Sequence, residues 1–505
     1  MKKEVQELEI EFRNYVKKMV NYKEAIGVIA WDLRTGAPKK GLEQRSSVIG
    51  TISSEVFRMS TSEEMKNFIK ELKDVSVWDE LDEVTQGTIK ECEKDLKKLT
   101  NIPEKDYEEY VILTANAESV WAEAKANADF ASFLPYLEKI VEFNRKYVEW
   151  VGYEGNKYNT LLDDYEPGLT VDIIDKVFAQ LKEEIVPLVK AVTEAENQPE
   201  TNFLFEKFPE KEQELVSRDI LKSMQYDFEA GRLDTTVHPF AIGLNPGDVR
   251  VTTKYDEKDF RTAVFGTIHE GGHALYEQNI DHKFVGTPLA GGTSMGIHES
   301  QSLFWENFVG RNKSFWEKNF DLLKKHAPTQ FNNVDLETFY RGINVAGPSL
   351  IRIEADEMTY ALHIILRYEL EKALINGELE VKDLPAAWND KMEDLLGIRP
   401  SNDGEGVLQD VHWAGGSFGY FPSYALGYVY AAQLKHAMDK DLPNFDELLE
   451  DGNLTPIKEW LTENIHQYGK SKQPLEILKD VTGEGIDASY LINYLKDKYN
   501  KVYQL

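Results

Sequence analysis

Apolar residues recur at spacings of three and four along most of this chain, and this periodicity limits the fold more than any other feature. Near the N-terminus the pattern comprises Leu8, Phe12, Tyr15, Met19 and Tyr22. Such spacing places apolar side chains on one face of an α-helix. The same periodicity recurs at roughly 43–58, 62–73, 79–98, 104–128, 131–152, 172–195 and 209–230. The sequence therefore predicts a large, mainly α fold.

One stretch interrupts the helical pattern, GRLDTTVHPFAIGLNPGDVRVTTKY at 231–255. Threonine and valine alternate in it, and the NPG tripeptide at 245–247 is typical of a turn. We interpret it as a short antiparallel β element near 232–255, formed by Arg232–Val237 and Asp248–Tyr255.

Helical periodicity resumes near Asp256 and continues to the end of the sequence, with loops expected at 281–297, 397–416 and 466–473. No Ser-, Gly- or Pro-rich linker is long enough to separate an independent domain. We therefore expect residues 1–505 to form a single unit. Within it, residues 1–200 should be an N-terminal helical layer packed on the part at 201–505.

Composition narrows the function classes. The formal net charge of −30 argues against nucleic acid or an anionic membrane as a partner, because both require a basic face. No apolar run approaches 18 residues, so we expect no membrane-spanning helix, and the N-terminus lacks an apolar core of signal-peptide length. The single cysteine, Cys92, excludes an intramolecular disulfide and a cysteine-based zinc site. A cytoplasmic location fits this composition.

A metal-binding motif lies in the stretch FGTIHEGGHALYEQ, residues 265–278. His269 and His273 are four residues apart, which places both imidazoles on one face of a helix, one turn apart. Glu270 lies about 100° around that helix, so it is poorly placed as a ligand and well placed to accept a proton from an activated water. The sequence predicts a divalent metal site; the alternative is a surface helix with two solvated histidines.

A third ligand is required, and thiolates are excluded. The segment GIHESQSLFWENF follows a Gly-rich loop, AGGTSMG, and its apolar spacing predicts a second helix with Glu299 in the first turn. Two histidines and one glutamate with an open fourth position are typical of catalytic zinc sites. Two alternatives remain: Glu299 caps the helix N-terminus, or His298 is the ligand or a hydrogen-bonding neighbour of one.

Gly271 and Gly272 lie inside the predicted metal-binding helix, where each costs roughly 1 kcal/mol relative to alanine. The presence of both glycines despite this cost indicates that the backbone of this helix is closely approached at these positions. We expect either that another element packs tightly against this helix or that a substrate lies along it.

Other candidate residues are ambiguous when each is taken alone. Arg352 occurs in the apolar segment LIRIEADEM, where it is either an ion-pair partner of Asp356, one helical turn away, or a substrate ligand. His412, beside Trp413, is either a buried hydrogen-bonded histidine or a catalytic donor. Tyr420 is either a core aromatic residue or a second donor.

Taken in order, however, six motifs between residues 238 and 413 form a specific set. They are H-P-F, D-x-R-x-T, H-E-x-x-H, H-E-S followed by Gln301, I-R-x-x-A-D and G-x-x-Q-D-x-H-W. Together they resemble the thermostable metallocarboxypeptidase family, also called the Taq carboxypeptidase family. The segment WDLRTGAPKKGLEQRS at 31–46 is also similar, so the likeness covers most of the chain.

The resemblance implies a mainly α fold related to the angiotensin-converting-enzyme and neurolysin group, with a deep active-site groove between helical walls. It also implies a homodimer with one zinc or cobalt ion per chain. The implied activity is the removal of C-terminal amino acids, one at a time, from peptides with a free C-terminal carboxylate. His269, His273 and Glu299 would then hold the metal, with Glu270 as the general base that later protonates the leaving amine.

The same activity requires a donor to the oxyanion and a cation for the terminal carboxylate. By resemblance to the related dipeptidases, His412 and Tyr420 are the candidate donors. A guanidinium binds a carboxylate through two hydrogen bonds, and Arg352 and Arg250 are the candidate anchors. His238 is expected to line the closed end of the groove.

Two alternatives accompany this interpretation. An endo-oligopeptidase of the same fold group needs no carboxylate anchor and would cut an amidated peptide as readily as a free acid. A non-catalytic helical binding protein would retain only a vestigial site, and the intact set of His269, Glu270, His273 and Glu299 argues against it.

Overall fold

A computed structural model describes residues 3–505. Its N-terminal helices are α1 (Lys3–Thr35), α2 (Leu42–Ser60), α3 (Glu63–Leu72), α4 (Val75–Trp78), α5 (Glu83–Asn101), α6 (Glu104–Asn127), α7 (Phe130–Val151), α8 (Tyr158–Asp163), α9 (Val171–Glu194) and α10 (Glu210–Ser223). Three strands follow: β1 (Leu233–Thr235), β2 (Ala241–Asn245) and β3 (Asp248–Thr253). The predicted mainly α fold is confirmed.

The remaining helices are α11 (Arg261–Gln278), α12 (Met295–Leu303), α13 (Lys313–His326), α14 (Pro328–Phe331), α15 (Leu336–Ile343), α16 (Tyr360–Asn376), α17 (Leu384–Leu396), α18 (Pro422–Asp441), α19 (Phe445–Asp451), α20 (Thr455–Asn464), α21 (Pro474–Thr482) and α22 (Ser489–Tyr503). Short 3₁₀ turns lie at Lys39–Gly41, Asn202–Phe205, His282–Phe284, Arg352–Glu354, Val381–Asp383 and His466–Ser471. A π-helix, Phe304–Gly310, continues α12. Within residues 3–505, no helix is both long enough and apolar enough to cross a membrane.

The buried apolar side chains form two separate cores. The smaller core joins α1, α2, α3 and α5 and includes residues from Phe12 to Cys92. The larger core begins at Ala117 on α6 and continues to Tyr503 on α22. The first hundred residues therefore have a core of their own, whereas α7 and α9 share the larger core with the helices after residue 200.

The sheet differs from the predicted strand pair. β2 pairs antiparallel with β3 across the turn at 245–247, where the side chain of Asn245 accepts from Gly247 N at 2.8 Å. β1 lies on the other edge of β3 and runs parallel to it, with Leu233 opposite Val251. The predicted antiparallel pairing of 232–237 with 248–255 is thus wrong. β2 lies directly before the turn and pairs with β3 as a hairpin. β1 therefore pairs with the other edge of β3.

Two other local predictions need correction. The helix predicted at 209–230 ends at Ser223, because Gln225 takes a left-handed conformation with φ of 69° and turns the chain. Arg352 lies in a 3₁₀ turn between α15 and α16 rather than in an apolar helix. Pro348, in the same connection, lacks a backbone N–H and disfavours helix in the residue before it, which prevents α15 and α16 from joining.

Candidate metal centre

Three side chains converge from two helices. α11 presents His269 and His273, one turn apart, and α12 presents Glu299. The Nε2 atom of His273 is 3.4 Å from Glu299 Oε2, and that of His269 is 4.0 Å from it. All three ligand atoms lie within 4.8 Å of one another.

The spacing and chemistry of these atoms fit a zinc ion. Nitrogen and oxygen atoms about 2.0–2.2 Å from a tetrahedral zinc lie roughly 3.3–3.5 Å apart, and the closest observed pair is at 3.4 Å. The separation of His269 from Glu299 is wider, 4.0 Å, and no pair of ligand atoms exceeds 4.8 Å, so the three would draw together around an ion. Burial lowers the pKa of His273 to about 4, so its ring is neutral, as metal binding requires. Although burial opposes it, Glu306 and Glu299 raise the pKa of His269 to about 10, so this ring would release a proton when an ion binds.

Both histidines are oriented by hydrogen bonds on the side away from the convergence point. His269 Nδ1 is 2.9 Å from Glu306 Oε2, and Arg311 donates to the other oxygen of Glu306 at 3.0 Å. His273 Nδ1 is 2.6 Å from His298 Nδ1, and His298 Nε2 is 2.9 Å from Glu277 Oε1. Such contacts fix the ring orientation and tautomer of metal ligands. His298 is thus a hydrogen-bonding neighbour of His273, separate from the converging set.

The glycines of α11 allow the two ligand-bearing helices to approach closely. A β-carbon at Gly272 would lie 2.6 Å from the carbonyl oxygen of Gln301, in the backbone of α12. One at Gly271 would lie 2.8 Å from the side chain of Leu221 on α10. On the opposite side of α12, a β-carbon at Gly427 of α18 would lie 2.6 Å from Glu299 Cβ. Of the two explanations for Gly272, tight packing of another element is therefore confirmed.

Glu270 faces two adjoining cavities together with His269 and Glu299. One cavity has a volume of about 610 Å³ and the other about 430 Å³. Glu270 is only 9% exposed, and burial raises its pKa to about 7. A carboxyl group with a pKa near neutrality is suited to accept and then return a proton.

A buried cluster of two arginines and one aspartate reaches the larger cavity through Arg352. Arg352 donates through Nε and Nη2 to Asp410 Oδ1 at 3.0 and 2.9 Å, and Arg367 donates to Asp410 Oδ2 at 2.7 Å. Although burial opposes ionisation, the two guanidiniums hold the pKa of Asp410 well below its usual range. Two guanidiniums share this one carboxylate, and one of them, Arg352, lines the cavity that holds Glu270.

The comparison with known proteins decides the family. A profile of the carboxypeptidase Taq (M32) metallopeptidase family matches residues 11–499. The chain belongs to this family.

Its relatives match along almost their full lengths. The chain is 54% identical over 502 residues to carboxypeptidase 1 of Bacillus subtilis, covering 99% of this chain and 100% of the relative. It is 40% identical to thermostable carboxypeptidase 1 of Pyrococcus furiosus, covering 94% and 95%. The crystal structure of an M32 carboxypeptidase from Deinococcus radiodurans superposes with a TM-score of 0.95 at 33% identity, covering 98% and 99%. The resemblance carried by the six motifs is confirmed, and the chain is an M32 metallocarboxypeptidase.

Three other predicted site residues lie in or beside the two cavities that hold Glu270. His238 is exposed and lines the larger cavity with Arg352, and Tyr420 lines the smaller one with His273. His412 Nε2 is 3.4 Å from the hydroxyl of Tyr424, which lines both cavities.

Arg250 lies apart from these residues. It lines a different cavity, pairs with Asp248 at 2.7 Å and stacks over Trp31 of α1.

The structure also corrects the partner proposed for Arg352. Asp356 instead accepts from the backbone N–H groups of Gly347, Met358 and Thr359 near the start of α16. The ion-pair partner of Arg352 is Asp410, 58 residues further along the chain.

Four residues that orient this site were missed: Glu277, Glu306, Arg311 and Arg367. One signal was available for Glu306, which is seven residues after Glu299 and so two turns along the same face. Arg367 lies in the apolar segment YALHIILRYEL and is fully buried, so its charge predicts a buried partner.

Proposed function

We propose that this protein is a zinc-dependent carboxypeptidase that releases C-terminal amino acids one at a time, with Glu270 as general base. One observation carries the proposal: the guanidinium of Arg352 lines the same cavity as Glu270 and two of the three metal-binding residues, His269 and Glu299. An exopeptidase acting at a C-terminus needs this combination, because the reacting bond and the terminal carboxylate are only one residue apart.

The proposed chemistry is hydrolysis by an activated water. His269, His273 and Glu299 would hold the zinc ion, which when bound would supply Lewis-acid activation of the water and of the scissile carbonyl. Glu270 removes a proton from the attacking water as the new carbon–oxygen bond forms. It then delivers that proton to the leaving nitrogen as the carbon–nitrogen bond breaks. The products are a peptide shortened by one residue and a free amino acid.

Two donors are proposed for the negative charge that develops on the carbonyl oxygen. Tyr420 remains protonated because burial raises the pKa of its hydroxyl, so it can donate a hydrogen bond. The second proposed donor is His412, whose Nε2 contacts the hydroxyl of Tyr424. Donors aimed at a developing oxyanion stabilise the transition state more than the ground state.

Arg352 is the proposed anchor for the terminal carboxylate. A net charge of −30 repels an anionic substrate, so a local cation must receive it. The ion pair with Asp410 keeps the guanidinium in place, and Arg367 shares the same carboxylate. Because Arg250 lines a different cavity from Glu270, we assign the anchor to Arg352 rather than to Arg250. His238 would close the same end of the groove.

Zinc as the ion, cobalt as a substitute, a homodimeric assembly and a cytoplasmic location are further proposals. They rest on the nitrogen and oxygen ligand set and on the resemblance to M32 enzymes.

Metal removal tests the function. Dialysis against a chelator should abolish release of the C-terminal residue from a free-acid peptide, and one equivalent of zinc per chain should restore it. Full activity in a metal-free preparation would contradict the proposal.

A further inference from the structure

The two metal-binding histidines are supported differently. His269 contacts a carboxylate, Glu306, directly, whereas His273 contacts another histidine, His298, which in turn contacts Glu277. His298 therefore lies between His273 and the carboxylate of Glu277, and two hydrogen bonds connect the metal ligand to that carboxylate. The ring of His298 therefore has to be held by its own surroundings.

Two glycines make room for this pair. A β-carbon at Gly292, in the Gly-rich loop before α12, would lie 2.6 Å from Cδ2 of His298. One at Gly243, in β2, would lie 2.6 Å from Oε2 of Glu277. The backbone N–H of Gly292 also donates to Glu277 Oε1 at 3.0 Å. The Gly-rich loop thus packs against the ring and fixes the carboxylate at the same time.

The proton positions follow from the distances. Two ring nitrogens 2.6 Å apart share one hydrogen, so either His273 Nδ1 or His298 Nδ1 carries it. If His273 is to offer Nε2 to a cation, its proton lies on Nδ1 and is donated to His298. On its other side, His298 donates from Nε2 to the carboxylate of Glu277 at 2.9 Å. The opposite arrangement puts a proton on His273 Nε2, which faces Glu299 at 3.4 Å and would block the cation.

We propose that His298 and Glu277 form a positioning dyad that holds His273 in the tautomer a metal ligand needs. The dyad acts on the metal site through His273, and His298 also lines the smaller cavity. This inference rests on the metal centre of the proposed function. Zinc affinity is measured without substrate, so failure of the dyad and failure of the carboxypeptidase assignment are distinguishable.

Two substitutions of similar size separate the two contacts of His298. In His298→Asn, the side-chain oxygen occupies the place of Nδ1, so it still accepts from His273 and loses Glu277. In His298→Gln, the terminal amide occupies the place of Nε2, so it keeps Glu277 and loses His273. His282→Asn is the matched control, because His282 is exposed and lies outside the dyad.

The experiment measures zinc affinity by competition with a chromophoric chelator, and the visible spectrum of the cobalt-loaded proteins. We expect His298→Asn to bind zinc within about threefold of the parent and His298→Gln about 10–100-fold more weakly, the usual effect of losing a contact that orients a ligand. The cobalt spectrum should change only in the Gln variant. Equal affinities of the Asn and Gln variants, or a tighter Gln variant, would overturn the proposal. Thermal unfolding of the metal-free variants verifies that both are folded.

Discussion

Gly272→Ala tests how closely the two metal-binding helices must approach. A β-carbon at this position would lie 2.6 Å from the carbonyl oxygen of Gln301 and 2.7 Å from Cα of Ser302. Both are backbone atoms of α12, so no side-chain rotation relieves the overlap. Moving from 2.6 Å to an ordinary contact of 3.4 Å requires a separation of about 0.8 Å. Glu299 would move with α12, away from His273.

The size of the effect follows from that displacement. Metal–ligand distances vary by only about 0.2 Å, and overpacking a buried contact costs about 1–3 kcal/mol. If this energy is lost from metal binding, zinc affinity falls about 5–150-fold, because 1.4 kcal/mol corresponds to a factor of ten. We expect a chelator competition assay to show this loss of zinc affinity. Any part of the strain that destabilises the folded state should lower the thermal unfolding midpoint instead.

Gly266→Ala is the control on the same helix. A β-carbon at Gly266 meets nothing within 4 Å, and alanine favours a helix over glycine by about 1 kcal/mol. This variant should keep the parent's zinc affinity and unfold at the same or a higher temperature. If Gly272→Ala matched Gly266→Ala in both measurements, the argument that Gly272 exists for helix packing would be refuted.

Three further predictions use standard assays. Glu270→Gln should keep about one zinc per chain while turnover falls roughly 10²–10⁴-fold; loss of zinc together with turnover would make Glu270 a ligand instead. Arg352→Ala should lower kcat/KM for free-acid peptides about 10–150-fold, the loss of a charged hydrogen bond worth about 1.5–3 kcal/mol, whereas Arg250→Ala should not. If both arginine variants stayed folded and lost kcat/KM equally, Arg352 would not be the carboxylate anchor. Burial raises the pKa of the Cys92 thiol to about 12, so Ellman's reagent should detect it only after unfolding, and rapid reaction in the native protein would show that the N-terminal core opens.

Much of the fold could be predicted because helical periodicity is local. The predicted helices at 62–73, 104–128, 131–152 and 172–195 match α3, α6, α7 and α9 within one residue at each end. For α3, Ser62 accepts from Met65 N at 3.0 Å, and Met65, Phe68, Ile69 and Leu72 are buried at the spacing seen in the sequence. Pairing of strands is not local, and this explains why the direction of β1 against β3 was missed.

The same distinction holds for the metal centre. His269 and His273 are four residues apart, and Glu299 follows in the next helix, so their convergence could be predicted from spacing and ligand chemistry. The partners of Arg352 could not, because Asp410 and Arg367 approach it from separate segments of the chain. Tertiary contacts alone decide which carboxylate neutralises a buried guanidinium. Asp356, four residues after Arg352, instead accepts from backbone N–H groups just before α16.

The central claim is that this M32 chain acts at a free C-terminus because Arg352 receives the terminal carboxylate beside Glu270. The most direct measurement incubates the zinc-loaded protein with one peptide in two forms, the free acid and its C-terminal amide, and follows the products by mass. We predict stepwise loss of single C-terminal residues from the free acid and at least tenfold slower cleavage of the amide, as expected when a charged hydrogen bond is lost. Cleavage of both forms at equal rates, or at an internal bond, would contradict the account and favour an endo-oligopeptidase.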